Sequence, residues 1–374
     1  MINISTLFDP RYVFLIYAPI LFALNKRVGH RTIIALTLTE WANQILKWLL
    51  AGERPYWYVH ERANELAAAN NRTGIESYDI AASLLLGQQP MAQLKQFPVT
   101  CELGAGSPSG HAMVTATVWY ILIDAYLKGE LPLLSKANYA AGVAPSSSSL
   151  ANKLAKLTWS LYTVALVLVS LSRVYLACHF PHQCLCGAVL GAALARLVAE
   201  RLPMERLQRR HFCLATCFMF ASALATYAGL QGLGLNPLWS VDKGMRWCAK
   251  KEYIHLDTTP FFSMMRYLGF CLGTGLAYDT AKLAQASRPT PQAAGHLLAR
   301  RTAAALASIL FGAFLMALPM PKTNLKLFYV ISFATYTLFS YSIAAPIPEL
   351  AKRVLSATSQ EQPSQQLRPK IHSH

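Results

Sequence analysis

The chain has 374 residues, of which 54% are apolar and only 14% charged, with a mean hydropathy of +0.30. A soluble domain carries about 25% charged residues, so this composition argues against a typical soluble enzyme, and its apolar content excludes disorder. The net charge of +16 suggests nucleic acid, but long apolar stretches separate small basic groups that a nucleic-acid face would cluster. The chain therefore reads as a membrane protein with no nucleic-acid partner.

In chain order, Met1 to Arg11 lacks a basic region ahead of an apolar run, so no cleaved signal peptide is expected. A transmembrane helix needs about 20 mostly apolar residues. Nine segments are predicted to span, near 12–25, 32–51, 110–128, 157–176, 182–199, 211–233, 261–282, 302–320 and 327–346. The predicted fold is thus all-α and polytopic. The first span is short and contains Pro19, and the second carries Glu40 and Lys47, both costly at membrane depth. The fifth contains Gly187-x-x-x-Gly191, which either lets helices approach closely or arises by chance in a Gly/Ala-rich helix.

The loop after span two holds Asn71-Arg72-Thr73, a glycosylation sequon. Ser146–Ser149 reads as a flexible loop between spans three and four. The Ser- and Gln-rich chain from about 354 reads as a disordered cytosolic tail, leaving 1–353 as one membrane-embedded domain. Most cysteines lie in apolar stretches. Cys101 and Cys248 lie in loops, and the sequence leaves open whether they form a disulfide. The Lys/Arg bias between alternate loops favours an N-terminus outside the cytosol and a cytosolic C-terminus.

Three polar clusters stand out. In Lys47-x6-Arg54-Pro55 two cations share nearly one helix face. In Gly106-Ser107-Pro108-Ser109-Gly110-His111 a Gly/Pro-rich turn opens a helix whose free N–H groups suit an anion. In Ser172-Arg173-x5-His179-x3-Gln183 a planar guanidinium fork precedes a histidine, and Pro181 breaks the helix so that His179 turns inward. Singly, each has a plain structural explanation. Span parity places all three on one membrane face, whichever face that is. Together they make a phosphate site with two acid/base candidates.

The ordered set K-x6-R-P, P-S-G-H and S-R-x5-H resembles the type 2 phosphatidic acid phosphatase superfamily. The flanks Phe97–Glu102, Ala177–Gln183, Trp247-Cys248 and His255–Phe261 resemble the glucose-6-phosphatase catalytic subunit family over most of the chain. Val59–Glu61 and Pro203–Arg206 lean toward its ubiquitously expressed form. Where the superfamily has Asp after the nucleophile, this chain has Gln183, a departure that the subfamily shares. The tail lacks the dilysine ending of the liver form.

The resemblance implies hydrolysis of glucose 6-phosphate at the lumenal face of the endoplasmic reticulum membrane. His179 would be the nucleophile and His111 the proton donor. Lys47, Arg54, Arg173, Ser109 and Gly110 would hold the phosphate, with Gln183 as a candidate for orienting His179. Glu40 is either a charge partner of Lys47 or a contact to a sugar hydroxyl. Tyr56, Trp57 and the 60–105 loop are expected walls of a sugar pocket. No metal or other cofactor is expected, since three cations take the place of a metal clamp. The implied partners are membrane lipids and a glucose-6-phosphate transporter. The competing readings are a lipid phosphate phosphatase, whose relatives have about six spans, and a sugar-phosphate transporter or binding subunit, for which repeats and broken mid-membrane helices are the usual signs.

Overall fold

The computed structural model describes residues 1–73, 94–131, 149–254, 258–279, 294–321 and 323–360. These are predominantly helical, with no strand among the described residues. The helices are α1 (Ile2–Leu7), α2 (Ala18–Leu24), α3 (Lys26–Leu50), α4 (Pro55–Thr73), α5 (Gly110–Leu127), α6 (Ser149–Tyr175), α7 (Pro181–Arg201), α8 (Arg209–Gly232), α9 (Trp239–Trp247), α10 (Pro260–Leu276), α11 (Ala294–Ala317), α12 (Leu325–Ala344) and α13 (Pro346–Gln360). Local signals explain several boundaries. The Asn25 side chain accepts from the N–H groups of Arg27 and Val28 and starts α3. Ala51 ends that helix in the left-handed region at φ 42°, and Pro55, Pro181 and Pro260 each open a helix with their preset φ.

Among the described residues, six helical stretches are long and apolar enough to cross a membrane: Ile2–Leu24, Asn152–Tyr175, Pro181–Arg201, Arg209–Gly232, Leu297–Ala317 and Leu325–Leu355. The expected count of nine is therefore not reproduced. The other three expected spans are helical, as α3, α5 and α10, but they are too polar or too short to qualify. The physical reason is position. These helices pack against one another and against α12, α7 and α8 in the middle of the bundle, so they meet protein rather than lipid and tolerate polar side chains. The first span starts earlier than expected, with α1 and a π-helical turn at Val13–Tyr17 preceding α2. By contrast, α6 is largely exposed and presents Leu157, Leu161, Val164 and Leu171 outward as a lipid-facing side.

The Gly187-x-x-x-Gly191 pattern is used for close packing. A Cβ at Gly187 would lie 2.5 Å from the Ser109 carbonyl oxygen, and one at Gly191 would lie 2.2 Å from that of Met113. Helices α7 and α5 thus meet backbone to backbone. The main apolar core joins Phe14 and Phe22 to Phe262, Phe270, Tyr336 and Phe339. A second cluster gathers Trp48, Met219, Met264 and Tyr267 between α3, α8 and α10.

Two sequence expectations shift here, and others fall outside the described residues. Asn71 falls in the last turn of α4 rather than in a loop. Helix α13 continues to Gln360, past the expected tail boundary near 354. Ser146–Ser148, His255–Asp257 and 361–374 lie outside the described residues.

Candidate active site

The three predicted clusters converge. Helix α6 ends where Cys178 N–H and His179 N–H both turn back to the Arg173 carbonyl, at 3.0 and 3.4 Å, with Ala177 in the left-handed region at φ 54°. This wrap carries His179 into the interior, where it is fully buried. Its Nδ1 lies 2.7 Å from the Gly106 carbonyl oxygen. A carbonyl only accepts, so Nδ1 carries the proton and Nε2 keeps its lone pair. Burial, then the cations Arg54 and Arg173, hold the imidazole well below its ordinary pKa of 6.5, so it is neutral at physiological pH.

Gln183 makes the longer contact to Nδ1, with its Oε1 at 3.3 Å. That oxygen also accepts from the Phe180 N–H at 3.1 Å, while Gln183 Nε2 donates to the Glu53 carbonyl at 2.7 Å. The amide therefore holds the loop in place, and the Gly106 carbonyl is the nearer group fixing the imidazole.

Arg54 is fully buried and donates from Nε to the Gly104 carbonyl at 2.6 Å, from Nη1 to that of Cys178 at 3.0 Å and from Nη2 to that of Ala105 at 3.2 Å. Its Nη1 is 3.4 Å from His179 Nε2. Arg173 donates from Nη1 to Ser5 Oγ at 2.8 Å. Lys47 lines the same cavity and makes no ion pair among the described residues. His111 stands in the first turn of α5 with Nε2 3.9 Å from Asp9 and Nδ1 3.8 Å from Glu102. Gly110 also lines the cavity. Ser109 is fully buried and donates its amide N–H to the Gln183 carbonyl at 3.0 Å, so that donor is already engaged.

Residues from other segments complete the site. Glu102 pairs with Arg54 Nη2 at 3.0 Å and is hydrogen-bonded to Arg173 Nη2. Burial pushes this carboxyl up, but the Arg173 and Arg54 guanidiniums outweigh it and hold it well below its ordinary value. Ser5 and Asp9 reach the site from the N-terminal segment. In the sequence Glu102 stands only within a flank, and Ser5 and Asp9 belong to no motif. A carboxylate one residue from a loop cysteine, in a chain this poor in charge, was the available signal.

The cavity has a volume of about 200 Å³. Beyond the cations its wall is polar, with Asn43, Gln44 and Ser263 beside Glu40, which pairs with Arg266 at 2.7 Å. The charge partner of Glu40 is thus Arg266 rather than Lys47. Tyr56 and Trp57 do not form the wall. They are fully buried in a cluster with Cys101 and Ala177, where Tyr56 donates to the Glu102 carbonyl at 3.1 Å and Trp57 to the Glu53 carboxylate. The part of the 60–105 loop that does line the cavity includes Pro98, Val99, Glu102 and Gly104. Cys101 and Cys248 form a disulfide that ties this loop to the end of α9.

The site is bipolar. The Nε2 lone pair of His179 and the His111 imidazole stand on either side of the Glu102 carboxylate, which the Arg54 and Arg173 guanidiniums hold. That arrangement suits transfer of a phosphoryl group onto nitrogen with protonation of the leaving oxygen.

Residues 31–206 match the PAP2 superfamily model. Catalytic subunit 1 of mouse glucose-6-phosphatase is 33% identical over 360 residues, covering 96% of this chain and 90% of that protein. Human glucose-6-phosphatase 3 is 34% identical over 346 residues, covering 92% and 87%. Human glucose-6-phosphatase 2 is 31% identical over 344 residues, covering 92% and 88%. Identities this similar do not single out one form. No solved structure matches. With all three cationic and histidine clusters in one cavity and relatives matched over nearly their full length, the chain belongs to the glucose-6-phosphatase family of the PAP2 superfamily and is a multi-pass membrane phosphoric monoester hydrolase.

Proposed function

We propose that the chain hydrolyses glucose 6-phosphate to glucose and phosphate at the lumenal face of the endoplasmic reticulum membrane, through a phosphohistidine on His179. The observation that carries this reading is the His179 imidazole, oriented by the Gly106 carbonyl at 2.7 Å, with the Glu102 carboxylate 3.9 Å from its Nε2 and 3.8 Å from His111 beside a cation-lined cavity. His179 Nε2 attacks phosphorus, the P–O bond to the sugar breaks, and the leaving oxygen takes the proton of His111. Water then attacks phosphorus and gives its proton to His111. The P–N bond breaks, phosphate leaves, and both histidines are restored. Lys47, Arg54 and Arg173 stabilise the charge on the phosphoryl oxygens as it builds, and the Gly110 N–H adds a donor. The polar wall around Asn43, Gln44 and the Glu40–Arg266 pair suits sugar hydroxyls.

The Cys101–Cys248 disulfide supports the lumenal orientation, since such bonds persist in oxidising compartments. In that orientation Asn71 lies on the glycosylated side, the outer helices face the lipids of that membrane, and a glucose-6-phosphate transporter must deliver substrate.

Rapid mixing with radiolabelled glucose 6-phosphate, followed by alkaline quench, should trap label on His179. No label should appear in His179→Ala, whose activity should fall by about 10⁴-fold or more, as for other covalent nucleophiles. Unchanged hydrolysis in that variant, or preferential hydrolysis of phosphatidate, overturns the reading. Equal rates in sealed and detergent-opened microsomes lacking the transporter overturn the orientation.

A further inference from the structure

In-line phosphoryl transfer needs phosphorus between His179 Nε2 and the proton of His111. In the structure the Glu102 carboxylate holds that space. Its Oε2 lies 3.9 Å from His179 Nε2 and its Oε1 lies 3.8 Å from His111 Nδ1. The same two oxygens engage Arg54, at 3.0 Å, and Arg173. An anion that touches both guanidiniums and sits between both histidines is placed as a phosphoryl group would be.

The geometry points to Glu102 as a specificity-determining residue, an internal anion that competes with the phosphoryl group for Arg54 and Arg173. This rests on the reading of the cavity as the phosphoryl site. The Glu102 backbone is anchored. Its N–H donates to the Thr100 carbonyl at 2.9 Å, its carbonyl accepts from Tyr56 at 3.1 Å, and its neighbour Cys101 is in the disulfide. Exchange therefore needs only rotation of the side chain. It also discriminates by charge. A monoanion that displaces Glu102 replaces one negative charge with another, whereas a phosphate dianion brings two to the same guanidiniums and to Lys47. The site thus rejects chloride, nitrate and carboxylates while admitting phosphomonoesters. The cost is an affinity reduced by the fraction of time the seat is free.

The test is calorimetric binding of inorganic phosphate, and separately of nitrate, to the purified full chain in detergent. Glu102→Gln should bind phosphate about tenfold more tightly than the wild type, the factor expected if the seat is free about a tenth of the time. It should also bind nitrate, which the wild type should not. Glu102→Asp keeps the charge but is one methylene shorter. It should tighten phosphate binding by a smaller factor, and it carries the test if Glu102→Gln does not fold. Unchanged or weaker phosphate binding in the folded variants overturns the inference and makes Glu102 a scaffold for the arginines. A wild-type chain that binds no phosphate overturns the phosphatase reading itself, so the two failures are distinct.

Discussion

Arg31 and Arg173 are both buried arginines in a charge-poor chain, at opposite ends of the bundle, and their surroundings differ. Arg31 lies near the start of α3, where Glu130 takes it in a two-point fork at 2.8 and 3.0 Å and Asp124 stands 3.6 Å away. Two carboxylates surround one guanidinium. Lys47 sits sixteen residues further along the same helix, roughly 24 Å at the α-helical rise. There Arg54 and Arg173 share the single carboxylate of Glu102, and Lys47 has no ion pair among the described residues. A surplus of buried positive charge is costly to maintain, and the cost is expected where an anion is the ligand. Matched charge marks architecture, and unmatched charge marks the site.

The comparison can be broken at either end. Arg31→Ala leaves Glu130 and Asp124 without their shared cation and should destabilise the fold by about 3 kcal/mol or more. Thermal unfolding in detergent measures this, and the surviving folded fraction should keep its KM. A change in KM with stability intact would erase the distinction between the two ends. Arg54→Lys keeps one charge but loses the fork that touches Gly104, Cys178 and Glu102. Its kcat/KM should fall by about 10²-fold, as for loss of a transition-state donor, and the unpaired carbonyls of Gly104, Cys178 and Ala105 should also lower Tm. Gly191→Ala forces a Cβ against the Met113 carbonyl. It should cost about 1–3 kcal/mol as overpacking, visible as a lower Tm, and should lower kcat more than it raises KM because α5 and α7 carry His111 and lead from His179. The smallest effect concerns pH. His179 has its pKa pushed down, so its neutral form persists as pH falls through 6.5. The rate of phosphoenzyme formation should therefore not drop until well below that value. A drop centred at 6.5 or above would show an unperturbed imidazole.

What the sequence revealed of this site follows from how its residues are distributed along the chain. Lys47, Arg54, His111, Arg173 and His179 sit in short runs with fixed spacing, and those runs are readable without coordinates. Glu102, Asp9 and Ser5 each reach the cavity alone, from a loop and from the N-terminal segment, and carry no spacing to recognise. Arg266 was read as part of a span, and only packing of α10 on α3 brings it to Glu40. Hydropathy separates the helices for a related reason. It reports exposure to lipid, and α3, α5 and α10 are enclosed by other helices. The polarity that sets them apart is what furnishes the cavity. The aromatic pair Tyr56 and Trp57 misled in the opposite sense, because their fully buried cluster lies behind the loop rather than in the pocket.

The contact of Gly187 and Gly191 with the backbone at Ser109 and Met113 also bears on how this protein can change. At these two glycines helices α5 and α7 rest on each other like gauge blocks, main chain against main chain, with only the small Ala116 and Thr117 side chains beside the contact. The separation of the two histidines is thus set by main-chain thickness, which no ordinary substitution can trim. New substrate preferences must then arise elsewhere, along α3, α10 and the N-terminal segment, where side chains form the wall. The chemistry is held to a fixed tolerance, and the freedom to evolve lies in the lining.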